Sequence, residues 1–328
     1  MVIRKILKKL TPERIKKEVE AIQKVKLPPE LKKWVKEYEK VGERPDFIWK
    51  WTYLGMKKIT LPSVTRRYKK SVWITKTISI ILNTLVDDLA DKRKNKTLLE
   101  AALDICSPRP GAQIKLSRFS KKDRGYLGLI KKLWKVLNKT IRTYPRYGEF
   151  KELFLYDYQQ FLNSMKYSYV INKNPDSINL TECEVYSAHN MQGVIALTID
   201  LMCSPKFNKK ELGVLREIGW RAQRMGRIGN SITTWEREAH ESDFSSEVFA
   251  YSIEKGVITA KDLQKKNKDK LVMKIKKSGT ERYFLKRWES YYNNIRGLSK
   301  KIKSTNIKNL LSGLESLIIM HLSSRGLK

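Results

Sequence analysis

The stretch Ser79-Ile80-Ile81-Leu82-Asn83-Thr84-Leu85-Val86-Asp87-Asp88-Leu89-Ala90-Asp91 decides how this chain is read. A largely apolar run ends in three aspartates. On an α-helix turning about 100° per residue, Asp87 and Asp91 lie roughly 40° apart, and Asp88 widens the arc to roughly 100°. Carboxylates gathered at a helix C-terminus repel one another and oppose the helix dipole. Stability alone does not favour that placement, whereas a bound divalent cation resolves the conflict. The bland alternative is a solvated acidic patch. The apolar run entering the motif favours a carboxylate cluster facing a cleft.

A second polar stripe lies far downstream. Asn230, Thr234 and Glu238 recur at i, i+4 and i+8, so they share a stripe roughly 80° wide. An amide oxygen, a hydroxyl and a carboxylate on adjacent turns make a hard oxygen site of the kind Mg2+ accepts. Gln223, Arg227 and Arg237 fall on nearly the same stripe.

The two motifs together resemble the class I terpene synthases of microbial type. Asp87-Asp88-x-x-Asp91 is similar to their aspartate-rich motif, and Asn230-x-x-x-Thr234-x-x-x-Glu238 to their Asn-Ser/Thr-Glu motif, with Arg237 at the basic position before the final Glu. The continuation from Glu238 to Val248 resembles the acidic, small-residue turn that follows. The resemblance spans about residues 45–300. A weaker match is His189-Asn190-Met191-Gln192-Gly193, at the place of the family's sensor arginine, linker and effector glycine. His189 stands where the family has Arg, Ser231 replaces a common Asp, and the C-terminal Arg-Tyr pair is missing. Gly193 in mid-helix costs about 1 kcal/mol relative to Ala and wants a reason.

The resemblance implies an all-α helical bundle around a central cavity, with residues 45–328 as the synthase domain and 1–44 as a basic helical extension. It implies three Mg2+ ions, drawn to Asp87, Asp88, Asp91, Asn230, Thr234 and Glu238, and an isoprenyl diphosphate substrate held by Arg227 and Arg237, with His189, Gln192 and Gly193 sensing the leaving group. The implied reaction is ionisation of a farnesyl or geranylgeranyl diphosphate and closure of the carbocation into rings. Trp73, Ile80, Thr84, Trp220, Gln223, Trp288 and Tyr292 are the candidate walls of a dry cavity, although each aromatic among them is as readily a core residue.

Composition sets the outer limits. The chain has 328 residues, 41% of them hydrophobic, with only 16 Gly and 10 Pro, which favours helix and a sizeable core. Cys106, Cys183 and Cys203 are too few and scattered for a disulfide framework or zinc site, so a reducing cytosol is expected. With three histidines, metal chemistry must rest on carboxylates. No apolar run reaches the length of a transmembrane helix.

The formal charge of +34 points to an anionic partner or to lysine-solvated helix faces. No motif indicates specific nucleic-acid recognition, and weak association with anionic membranes stays open. The oligomer is expected to be a monomer or homodimer. Chain-elongating prenyl diphosphate synthases share the first motif but carry a second aspartate-rich one; head-to-head synthases need two Asp-x-x-x-Asp motifs. A non-catalytic basic binder is the remaining alternative.

Periodicity places helices at 1–24, 28–37, 65–91, 97–105, 121–142, 148–171, 181–202, 209–241, 244–255, 260–266, 280–295 and 307–322. An irregular Trp/Tyr-rich stretch is expected from Phe47 to Tyr53.

Overall fold

The computed structural model describes residues 2–107 and 116–327. The described residues form α-helices, short 3-10 turns and connections, with no strand among them. The N-terminal part comprises α1 (Val2–Lys9), α2 (Pro12–Gln23), α3 (Pro29–Glu39) and α4 (Asp46–Lys58). The expected single helix over 1–24 is divided because Pro12 can open a helix but not continue one. Thr11 caps the new start, its Oγ1 accepting from the Arg14 N–H at 3.3 Å.

The expected irregular stretch at 47–53 is instead part of α4. Aromatic residues lower helix propensity only slightly, and burying Trp49, Thr52, Tyr53 and Gly55 on one side outweighs that.

The body continues with α5 (Arg66–Asp91), α6 (Lys96–Cys106), α7 (Lys121–Arg142) and α8 (Tyr147–Lys173). The sequence Ser107-Pro108-Arg109-Pro110-Gly111, whose prolines and glycine oppose a continued helix, follows α6, and all of it but Ser107 lies outside the described residues. Then come α9 (Leu180–Tyr186), a 3-10 segment (Ser187–Met191), α10 (Gly193–Met202) and α11 (Leu212–Glu241). The last elements are α12 (Glu247–Glu254), α13 (Ala260–Gln264), α14 (Asp269–Lys277), α15 (Thr280–Leu298) and α16 (Ile307–Ser323). Periodicity gives no warning of α14, a short lysine-rich helix that buries only Leu271 and Ile275.

The expected helix over 181–202 is broken. Gln192 adopts the left-handed conformation (φ 52°), which ends one helical run and starts the next. Gly193 therefore begins α10 and is not in mid-helix.

Two long helices organise the rest. α5 is packed by α3, α4, α6, α7 and α8, while α11 is packed by α10, α12, α15 and α16. α10 touches both, and α4 packs on α16, so these elements ring a space between α5 and α11. The buried Lys76–Asp200 pair, 2.5 Å apart, ties α5 to α10. The Leu61 N–H also donates to Asp200 at 2.9 Å, satisfying a carboxylate that would be costly unpaired.

One apolar cluster extends from Ile3 to Ile318. Residues 1–44, expected as an extension, contribute Ile3, Ile6, Leu27, Leu31, Val35 and Tyr38 to it. No described helix is long and apolar enough to cross a membrane. All three cysteines are free and buried.

Candidate active site

The aspartates at the end of α5 and the polar stripe of α11 face each other across a cavity of about 170 Å³. Asp87, Asp91, Asn230, Thr234, Glu238, Arg227 and Arg237 all line it, with Ile80 and Thr84 a turn or two deeper on α5. Motifs separated by roughly 140 residues thus meet because α5 and α11 are the two central helices, each presenting one polar stretch on an otherwise buried surface.

Asp88 goes elsewhere. Its carboxylate accepts from the Arg44 Nη2 at 2.8 Å and Nε at 3.2 Å, and from the Tyr38 hydroxyl at 3.3 Å. The rotation of about 100° between adjacent helical residues turns Asp88 toward α3 and away from the cavity. The sequence stretch expected to supply three carboxylates therefore supplies two to this wall. A carboxylate not anticipated, Asp243, lines the cavity as well. It is placed by Ser242, whose left-handed conformation (φ 57°) ends α11 and folds the Asp243 N–H back to the Glu238 carbonyl at 2.9 Å. Asn172 of α8 braces the group, donating to Asp91 at 3.0 Å and Asp243 at 3.1 Å.

This wall carries more negative charge than the protein compensates. Burial raises Asp87 above the ordinary carboxylate range; Arg44 lowers it again in part, and Asp88 and Asp243 add to the rise. Burial, with Asp243 and then Asp87 beside it, lifts Asp91 well above that range. Burial and Asp243 push Glu238 up to about 7 against the pull of Arg227 and Arg237. The Glu238 Oε2 is buried without a hydrogen-bond partner. Such a group is held at a cost unless something positive joins it.

The arginines are only partly engaged. Arg227 donates from Nη2 to the Ser245 carbonyl at 2.9 Å, while its Nε has no partner. Arg237 pairs with Glu241 and lies 3.8 Å from Glu238. Lys94, in the loop after α5, donates to the Ser242 carbonyl at 2.7 Å, which sets a further cation next to Asp243.

The donor set suits a hard divalent ion: carboxylates in excess of their cations, an amide and a hydroxyl. Among the described residues no group of three His, Cys, Asp or Glu side chains is placed to enclose one ion unaided. An ion here would take oxygens from the ligand too, as Mg2+ commonly does beside phosphates.

The 187–193 segment contributes differently from its expected role. His189 does not line the cavity; its ring packs on Trp220 with centroids 5.0 Å apart, and burial lowers its basicity. Its neighbour Asn190 reaches the site instead, donating to Asp87 at 2.8 Å. Gln192 accepts from the Ser79 hydroxyl at 2.6 Å. Gly193 is required by packing: a Cβ there would stand 2.9 Å from the Gln223 Cβ and 3.1 Å from its Cα.

Behind the acidic cavity lies a smaller apolar chamber of about 80 Å³. The two share Trp51, Thr52, Met56, Met191 and His321, and Gln223 lines the deeper one. Gly193, Ala196, Gly219, Ala222 and Gly226 leave the room between α10 and α11.

Trp73, Trp220, Trp288 and Tyr292 line neither space. Trp73 shares a helical face with Asp87 but sits fourteen residues, about 21 Å, farther down the axis, under the Lys57 ammonium. Trp220 is likewise about 15 Å from Asn230 along α11. Trp288 is buried against Tyr292, whose hydroxyl donates to Glu315 at 2.6 Å. A shared face fixes the angle of a side chain, not its height. Conversely Trp51 falls in the 47–53 stretch expected to be irregular, Met56 lies just beyond it in the same helix, and His321 lies on a late helix with no motif around it.

The chain matches no protein-family model and no curated protein. Its architecture is that of the class I terpenoid synthase-like helical bundle. Among solved structures it is similar to a geranylgeranyl pyrophosphate synthase, with a TM-score of 0.57 over 94% of each chain at 11% sequence identity.

Proposed function

We propose that this chain is a Mg2+-dependent class I terpene cyclase, which ionises an allylic isoprenyl diphosphate and closes the carbocation into a ring. The observation that carries the reading is the meeting of Asp87 and Asp91 with Asn230, Thr234 and Glu238 around one cavity, with Arg227 and Arg237 on its wall and an apolar chamber behind.

Asp87 and Asp91 on one side and Asn230, Thr234 and Glu238 on the other would hold Mg2+. When bound, it supplies Lewis-acid neutralisation of the diphosphate leaving group. Thr234 already donates its hydroxyl hydrogen to the Asn230 carbonyl at 2.9 Å, so its oxygen keeps lone pairs for a ligand role. Arg227 and Arg237 bind diphosphate oxygens as charge-assisted donors, fixing the leaving group at the polar end. The hydrocarbon tail then lies toward Ile80, Met56 and Trp51, where a π face can stabilise positive charge.

A second reading, chain elongation, is favoured by the likeness to a geranylgeranyl pyrophosphate synthase. Against it stands the α11 stripe, which carries Asn, Thr and Glu in place of a second aspartate-rich motif.

The deciding experiment incubates the protein with C10, C15 and C20 diphosphates, with and without Mg2+ and isopentenyl diphosphate, followed by gas chromatography–mass spectrometry. A Mg2+-dependent cyclic product supports cyclisation. A longer linear diphosphate formed only with isopentenyl diphosphate replaces it with elongation, and no turnover in any mixture removes both.

A further inference from the structure

Of the polar side chains that line the apolar chamber, Thr52, Gln223 and His321, Gln223 carries a buried donor that no partner meets. Gln223 of α11 is 2% exposed and lines the chamber. Its Oε1 accepts from the Val194 N–H at 3.1 Å, which fixes the amide orientation. The opposite end, Nε2, is buried without a hydrogen-bond partner. The close approach of Gly193 to the Gln223 Cα and Cβ leaves the side chain little freedom to swing away.

An unpaired amide N–H2 is the positive end of a dipole. It repels a carbocation and attracts an oxygen lone pair. A polar donor kept unpaired beside mostly aliphatic and glycine walls therefore selects an oxygen. A prenyl tail carries none, and the diphosphate belongs at the acidic end of the neighbouring cavity. Water is the oxygen ligand that remains.

Resting on the cyclase reading, we infer that Gln223 is a positioning residue that holds a water molecule for capture of the carbocation, so that the enzyme releases a cyclic alcohol. The water oxygen forms a C–O bond with the cationic carbon. The resulting oxonium gives its extra proton to the diphosphate freed by ionisation. Diphosphate ester and water thus become alcohol and hydrogen diphosphate, with no oxidant or reductant.

The test runs the full-length protein with Mg2+ and C15 or C20 diphosphate in H2(18)O and reads products by mass spectrometry. The expected wild-type product is a cyclic alcohol carrying one 18O. Gln223→Met removes the donor at nearly constant size. Gln223→Leu also removes it with a side chain of different shape, so a change common to both variants follows the lost donor. Both variants should lower the alcohol-to-hydrocarbon ratio by roughly tenfold, a change a purely structural role would not produce. Cyclic hydrocarbon alone from wild type, or an unchanged ratio in Gln223→Met and Gln223→Leu, overturns the inference while leaving the cyclase reading intact. Absence of any turnover by wild type defeats the cyclase reading itself.

Discussion

Asp87 and Asp88 are one residue apart, yet a rotation of about 100° gives them different hydrogen-bond partners, Asn190 for the first and Arg44 and Tyr38 for the second, with Arg44 also 3.9 Å from Asp87. Their replacement by Asn should separate metal binding from structure. Asp87→Asn is expected to lower turnover by roughly a thousandfold with little change in melting temperature. Asp88→Asn should keep turnover within about tenfold of wild type and cost about 3 kcal/mol, because the buried Arg44 loses its nearest counter-charge. Kinetics of diphosphate release and thermal melts on both variants check this, and equal losses of turnover would count against the division.

Glu238 allows a pH test. Its carboxyl is pushed from 4.5 up to about 7, so the folded, metal-free protein holds that proton more tightly than the unfolded chain. The associated stability is present below pH 4.5 and is lost as pH rises through 7, by on the order of 3 kcal/mol. In EDTA, Glu238→Gln should melt with wild type near pH 5 and increasingly above it toward pH 8, while its Mg2+-dependent turnover falls. Coincident melts at pH 8 would mean that the unpartnered carboxylate is not a burden.

At the scale of elements, what could be read in advance followed from strong periodicity, and what could not followed from packing. The span 121–142 matches α7 residue for residue, because its apolar positions recur cleanly and Ser120 caps it, accepting from the Asp123 N–H at 3.1 Å. α5 and α11 were legible for the same reason, and with them the residues of the two motifs. The break before α10 was not, since it depends on a left-handed Gln192 that no propensity favours. α4 is not legible because its aromatic content over 47–53 masks a helical face, and with it Trp51 and Thr52 of the cavity wall. Asp243 was in view only as part of a turn; its role depends on how that turn folds back onto α11.

The junction of α10 and α11 makes its own prediction. Gly193→Ala should push the two helices apart at Gln223 and destabilise the protein by about 1–3 kcal/mol, although Ala is the better helix former. Gly213→Ala, where a Cβ meets nothing within 4 Å, is the control and should be neutral or slightly stabilising. Thermal denaturation of the pair distinguishes close packing from helix propensity, and equal effects would remove the packing argument.

For the whole molecule, charge and cavity oppose one another. With 68 Lys and Arg against 34 Asp and Glu, at least half of the cations lack an acidic counterpart even if every carboxylate is paired. Yet the cavity concentrates Asp87, Asp91, Glu238 and Asp243 in one buried place. The outer field therefore attracts an anionic ligand from a distance, while the cavity itself repels it until cations balance the carboxylates. Encounter and chemistry should accordingly respond differently to salt, because screening at higher ionic strength weakens long-range attraction and leaves buried contacts largely alone. Raising NaCl from about 20 to about 200 mM at saturating Mg2+ should lower kcat/KM for the diphosphate by roughly tenfold and leave kcat within about twofold. The same change should raise the melting temperature, since the unpaired lysines repel one another less. Steady-state kinetics and melts over that range check both. A kcat/KM indifferent to salt would mean that the surplus charge solvates the helices and takes no part in drawing the substrate in.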